Sequence, residues 1–154
     1  MRRSDREVTG FNEITDILRR ADTLRLGLHD DPYPYIVPLS FGYEAAEGRI
    51  SLYFHGATEG LKHKLIKHNP HVCVEADIFH RYAEVGGGIT TEYESFIGFG
   101  KAERVTGTQA AKGLDLLLEH CGYVGYSYTQ AELDATGVYK ITLESFTGKR
   151  RRIS

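Results

Sequence analysis

The segment YFHGATEGLKHKLIKHNPH, Tyr53 to His71, gathers the side chains best suited to chemistry. An apolar strand pattern ends at Phe54, a small-residue loop runs from His55 to Gly60, and a helical pattern opens with Lys62, His63 and Lys64 in its first turns. A helix N-terminus carries partial positive charge, so exposed cations there are disfavoured by roughly 0.3–1 kcal/mol each. The placement makes sense if an anion binds. Strand end, loop and helix start aim backbone N–H groups at one point, and a phosphate there turns repulsion into attraction. The competing reading is a solvated amphipathic helix, with Leu61, Leu65 and Ile66 inward and the lysines outward. The loop is not a Walker-type motif, since no Gly-Lys-Ser/Thr follows. It also lacks the glycine spacing and βαβ unit of a Rossmann turn.

Four histidines, His55, His63, His68 and His71, crowd the same segment. Their spacing fits no common zinc pattern and no thiolate pairs with them, so no metal is expected. His55 differs from the others because it stands where the strand opens into the loop. An unperturbed imidazole titrates near 6.5, which suits proton donation near neutral pH, and His55 is the candidate catalytic group. Its alternative role is that of a hydrogen-bonded rim histidine.

The elements that must position these residues are mostly strands. FNEITDILRRAD places Phe11, Ile14, Ile17, Leu18 and Ala21 on one helical face, with Gly10 as the cap and Glu13 three residues on. TLRLGLH alternates, with Leu24, Leu26 and Leu28 on one side. YIVPLSFGY is a strand whose Pro38 cannot donate to a ladder and belongs at an edge. With RISLYF these make a three-stranded antiparallel meander. A helix near residues 60–68 stops at Asn69-Pro70, and HVCVEAD is the next strand. EVGGGITTE is expected to be a mobile loop. YESFIGFGKAERV is a long strand whose Gly98 and Gly100 suggest curvature or close backbone approach. A helix ending at Gly122, a short helix capped by Thr129 and Glu132, and the strand VYKITLESF follow. Six alternating strands and few helices imply a small closed antiparallel barrel in a single domain, residues 1–154. Connections in the first three strands are too short for a parallel crossover.

Composition excludes several classes. The chain of 154 residues is 41% hydrophobic and 26% charged, with a net charge of −2, which offers nothing to nucleic acid. The one basic run, Lys149 to Arg152, reads as a solvated tail. No apolar stretch approaches the ~20 residues of a membrane span, and MRRSDREVTG has no signal-peptide character, so a cytoplasmic protein is expected. Cys73 and Cys121 read as buried thiols in a reducing compartment.

Taken together, LRLGLHDDPYPYIVPLSFGY, LYFHGATEGLKHKLIKHNPHVCVEAD, YESFIGFGKAERV and ITLESFTGKR resemble the pyridoxamine 5′-phosphate oxidase-like flavin-binding proteins, and within them the nitroimidazole-resistance branch. The most specific piece is Phe54-His55-Gly56-Ala57 with Glu59-Gly60 and Lys62 behind. The resemblance implies a six-stranded antiparallel split barrel and a homodimer with FMN in clefts between subunits. It implies that Val37, Pro38, Leu39 and Ser40 run beside the isoalloxazine. His55, Gly56 and Ala57 would flank the ring and ribityl chain, and Gly60, Lys62 and Lys64 would hold the phosphate. Arg25 would reach the same cleft, and Ser95 would touch the ring from the second subunit. Relatives that oxidise pyridoxamine phosphate close their pocket with a C-terminal Arg-x-His motif. GKRRRIS has no histidine, which argues against vitamin B6 oxidation.

Three functions follow as expectations. The first is an FMN-dependent oxidoreductase acting on a small nitroaromatic or quinone-like acceptor. The second is a flavin-binding protein without turnover. The third is a related barrel holding haem or a deazaflavin. One compact basic cluster disfavours the longer anionic tail of a deazaflavin.

Overall fold

The structure, a computed structural model, describes residues 1–153. After a short 3-10 turn, the elements run β1 (Glu7–Val8), α1 (Phe11–Arg20), β2 (Leu24–Leu28), β3 (Tyr35–Leu39), β4 (Gly42–Ala46), β5 (Arg49–Gly56), α2 (Leu61–His68), β6 (His71–Val85), β7 (Gly88–Val105), α3 (Gly107–His120), α4 (Gln130–Asp134) and β8 (Gly137–Arg151). All strand pairs are antiparallel, in the order β3-β2-β6-β7-β8-β5-β4, with β1 on β8.

β3 and β4 are the two halves of the segment read above as one strand. They stand at opposite ends of the hydrogen-bonded path, yet only Ser40 and Phe41 separate them. Three Cα steps span at most about 11 Å, so the sheet must curl until its two edges nearly meet. The antiparallel split barrel is thus six-stranded, with one strand broken at its closing seam. The expected three-stranded meander is present with its middle strand broken: β2 pairs with β3 and β5 with β4, on opposite edges of the hydrogen-bonded path. Pro38 lies on the edge strand β3, where its missing N–H costs no ladder bond.

Alternation places the core as expected. Leu24, Leu26, Phe41, Leu52, Phe54, Val74, Phe96 and Ile141 are fully buried inside the barrel, and α1 adds Ile14, Ile17 and Leu18. Outside, α3 lies across β4 and β5. Its Gly113 sits so close to the Tyr53 ring that a Cβ there would come 2.5 Å from the ring carbon. Gly100 has the close backbone approach anticipated: a Cβ would meet Leu143 Cα at 2.9 Å, where the β7–β8 register shifts. Thr129 and Glu132 form the expected capping box.

Other expectations change. EVGGGITTE is no loose loop. It is the tip of the β6–β7 hairpin, turned by Gly86 and Gly87 at φ 59° and 78°. Gly10 caps α1 without a side-chain bond, and Glu13 instead accepts from Arg150 at 2.8 Å. Cys121 is exposed because α3 ends there, and Cys73 is half-buried.

The basic run is not a solvated tail. β8 extends through Arg151, and Arg150 and, just past its end, Arg152 face Glu94 and Glu92 on β7. Glu94 is buried and accepts from Arg20 at 2.7 and 2.9 Å and from Arg150 at 2.7 Å, with His80 Nε2 at 2.8 Å. Glu92 accepts from Arg81 and from the Ile153 N–H at 2.7 Å. Arg20's bonds first, then His80 and Arg150, hold Glu94 well below the usual carboxylate range against the opposing effect of burial. Among the described residues no helix is long and apolar enough to cross a membrane.

Candidate functional site

The seam of the barrel and the start of α2 build the site. β5 ends in register with β8, with His55 opposite Val138 and Gly56 opposite Gly137. On its other side Tyr53 pairs with Gly42. That ladder stops there, and Ser40 lies two residues before Gly42, at the bend between β3 and β4. The bend after β3 and the loop after β5 therefore share one rim, although they are read from separate stretches of sequence.

α2 starts from Gly60 at φ 137°, a conformation open to glycine, and no side chain caps it. Its first N–H groups are free for a ligand. The Lys62 chain folds back over Gly56, where a Cβ at position 56 would lie 2.8 Å from both Cε and Nζ. Gly56 is small so that this lysine can lie there. Among the described residues neither Lys62 nor Lys64 makes an ion pair. Lys64 is exposed. Desolvation, and secondly the Lys62 charge, push the exposed His55 imidazole below its ordinary value. Both effects favour the neutral ring, an N–H donor, over the charged acid.

The spacing of His63 suits no metal site, yet its ring is held by a side-chain partner. Its Nδ1 lies 2.6 Å from the Tyr139 hydroxyl, and Tyr139 stacks on Phe54 with ring centroids 5.1 Å apart and planes 5° from parallel. The Nε2 atom is buried without a partner. Its partner stands 76 residues away, and only the position of His63 beside Lys62 hinted at a role.

The remaining candidates divide between two places. Val37 and Leu39 are half-buried, whereas Pro38 and Ser40 are exposed. Gly56, Ala57 and Lys62 come together at the rim, with His55 next to Gly56 on β5, Gly60 at the start of α2 and Ser40 at the bend before β4. Arg25 does not join them on its own chain. It pairs in register with Pro38 on the outer face of the sheet and donates to Glu75 at 3.0 Å and Asp77 at 2.6 Å. Ser95, opposite Asp77, lies on that same outer face. A hollow of about 610 Å³ opens there too, lined by Gly27, Ile36, His71, Cys73 and Phe99 among others. It does not reach His55 or Lys62, so apolar space and the basic cluster are separate features of a single chain. Among the described residues no three His, Cys, Asp or Glu side chains gather as a metal site.

Residues 12–150 match the family described as pyridoxamine 5′-phosphate oxidase. The chain belongs to that family. Comparison with curated proteins returns no match. Among solved structures it is similar to a protein from Bacteroides thetaiotaomicron provisionally assigned to 5-nitroimidazole antibiotic resistance, with a TM-score of 0.84 and 27% identity over 93% of this chain and 85% of the other. It shares its fold with a FAD and haem binding protein from Mycobacterium smegmatis, with a TM-score of 0.80 and 20% identity over 96% and 74% of the two chains. A FAD-binding protein from Mesorhizobium loti also has the fold, with a TM-score of 0.67 and 24% identity over 96% and 98%. The pyridoxamine 5′-phosphate oxidase family and its split barrel, both expected from the motifs, are thereby established.

Proposed function

We propose that this chain is an FMN-dependent oxidoreductase that passes electrons to a small electron-poor acceptor, nitroaromatic or quinone-like. The observation that carries the reading is Lys62, unpaired and folded over Gly56 at the uncapped start of α2. The cradle fits a phosphate monoester: a free ammonium, free helix N–H groups and a glycine whose side chain would otherwise fill the space. Gly60, Lys62 and Lys64 hold the phosphate, and the Val37–Ser40 backbone with Gly56 and Ala57 flanks the ring. When bound, FMN supplies the electron transfer; the protein supplies position and electrostatics. Arg150 and Arg152 face Glu94 and Glu92, so they are not free to close a pocket over pyridoxamine phosphate. The absorbance spectrum of purified protein tests the reading at once. Flavin bands support it, whereas haem or deazaflavin bands sink it.

His55 orients the acceptor through a neutral N–H. In His55→Ala, matched for flavin occupancy, anaerobically reduced protein should reoxidise about 3- to 10-fold more slowly with a nitroimidazole or a quinone, the worth of one ordinary hydrogen bond. The wild-type rate should be nearly flat from about pH 7 to 8, since an imidazole held below its ordinary value is already largely neutral there. A rate falling steadily with rising pH would instead make His55 the proton donor. Equal rates in wild type and variant would remove it from the mechanism.

A homodimer completes the site. Ile36, Phe79, Tyr82, Ile89, Ile97 and Phe99 are exposed, and Arg25 and Ser95 share the outer sheet face that a second copy would cover. Tyr53, by contrast, is buried under α3 and takes no part in that face. Light scattering at low concentration should give a dimer burying at least ~2,000 Å². A stable, flavin-loaded monomer is the result incompatible with this assembly.

A further inference from the structure

We propose that His63, oriented by Tyr139, is a positioning residue that sets the Gly56–Gly60 loop for a phosphate monoester and so makes the site select FMN over unphosphorylated flavin. The inference rests on the flavin reading above.

The argument begins with proton placement. Desolvation first, then Lys62 and Arg104, keep His63 below its ordinary value, so the ring is neutral with one N–H and one lone pair. Desolvation raises Tyr139, which keeps its proton. Two arrangements of the 2.6 Å contact are possible. If Nδ1–H donated to the phenol oxygen, the Tyr139 proton and the Nε2 lone pair would both lack partners, since neither atom has another bond in the structure. If Tyr139 donates to Nδ1, only Nε2–H is left over. Each buried unmade bond is unfavourable by about 1–3 kcal/mol, so the second arrangement wins.

The spare Nε2–H has a neighbour. The Ala57 carbonyl oxygen and His63 Cε1 both crowd Gly137, at 3.0 and 3.4 Å from where a Cβ would stand. Ala57's carbonyl favours a protonated ring, yet no hydrogen bond to Nε2 is made. Drawing that carbonyl in would complete the bond. The peptide unit is planar and trans, so the Thr58 N–H of the same unit then points the opposite way. His63 thereby turns a loop N–H outward without touching the ligand itself. Gly137 has no side chain, which leaves room for this contact.

The test compares FMN with riboflavin, which differ in the phosphate. Fluorescence titration on Tyr139→Phe, which keeps the ring on Phe54 and loses the hydroxyl, should weaken FMN about 3- to 10-fold, the worth of one hydrogen bond. Riboflavin affinity should stay within about 2-fold. His63→Leu should show the same selective loss, and His63→Gln, which keeps an N–H donor near the Nε2 position, should recover most of it. Equal weakening of both flavins would reduce the pair to general scaffolding and overturn the proposal, as would unchanged FMN affinity. If His63→Leu does not fold, Tyr139→Phe decides alone. Wild-type protein that binds FMN no more tightly than riboflavin removes the phosphate reading beneath this one, and is told apart because it needs no variant.

Discussion

Lys62→Ala should loosen FMN about 10- to 100-fold, while Lys67→Ala leaves its affinity within about 2-fold, as read by flavin fluorescence titration. The contrast is the point, because both residues are lysines on one eight-residue helix. Lys62 lies over Gly56 at the positive end of α2, where only an anion makes its charge welcome. Lys67 sits in the last turn, where the helix field already suits it. A charge-assisted hydrogen bond is worth about 1.5–3 kcal/mol, which sets the expected loss. Raised salt should narrow the difference between wild type and Lys62→Ala, since the contact is partly exposed and screening acts on it. Equal losses from the two substitutions would mean that net charge, not the cradle, attracts the flavin.

Glu94→Ala should destabilise the fold by about 3 kcal/mol, the low end of the range for breaking a buried ion pair. The low end applies because Arg20 and Arg150 each keep 30% of their side chain exposed and hydrate once released. For a chain of this size that is a drop in Tm of roughly 6–12 °C. The pH dependence has a defined sign. Glu94's folded pKa is depressed, so its stabilisation is fully present above the unfolded carboxyl value of about 4.3 and drains away as pH falls toward the folded value. Wild type should therefore lose stability on acidification below about pH 4.3, and Glu94→Gln should show a flatter curve over that window. Parallel curves for wild type and Glu94→Gln would show that other carboxylates carry the acid response.

These two expectations differ in how far the sequence announces them. Lys62 stands out within its own segment, because a helix start with lysines and no acidic residue conflicts with local electrostatics. Glu94 is not visible in that way. Its partners are Arg20, His80 and Arg150, spread over three elements, and a basic run seen alone looks like a hydrated tail. The same limit hides Tyr139 from His63. Strand alternation located β2, β5 and the barrel part of β6 and β7 because each buries one face. Beyond Phe79 the β6–β7 hairpin exposes most of its residues, so glycine content suggested a loop where the backbone continues its ladder. The break between β3 and β4 is equally silent. Both halves keep a strand pattern across Ser40–Phe41, and only the change of pairing partner separates them.

β8 has a consequence for the order of events during synthesis. It pairs with β1, β5 and β7, and it alone brings Gly137 and Tyr139 to Gly56 and His63. The β2–β3 and β4–β5 hairpins can form as soon as each emerges from the ribosome, at about 5–20 residues per second. The rim around His55 cannot. It waits some eighty residues after its own loop has been made, until β8 zips between β5 and β7. Until then β5 and β7 each present an unpaired edge, which is the hazard a chaperone or an early partner would shield. A nascent chain lacking β8 should therefore bind nothing at this rim, and whatever the site holds is acquired only after the barrel has closed.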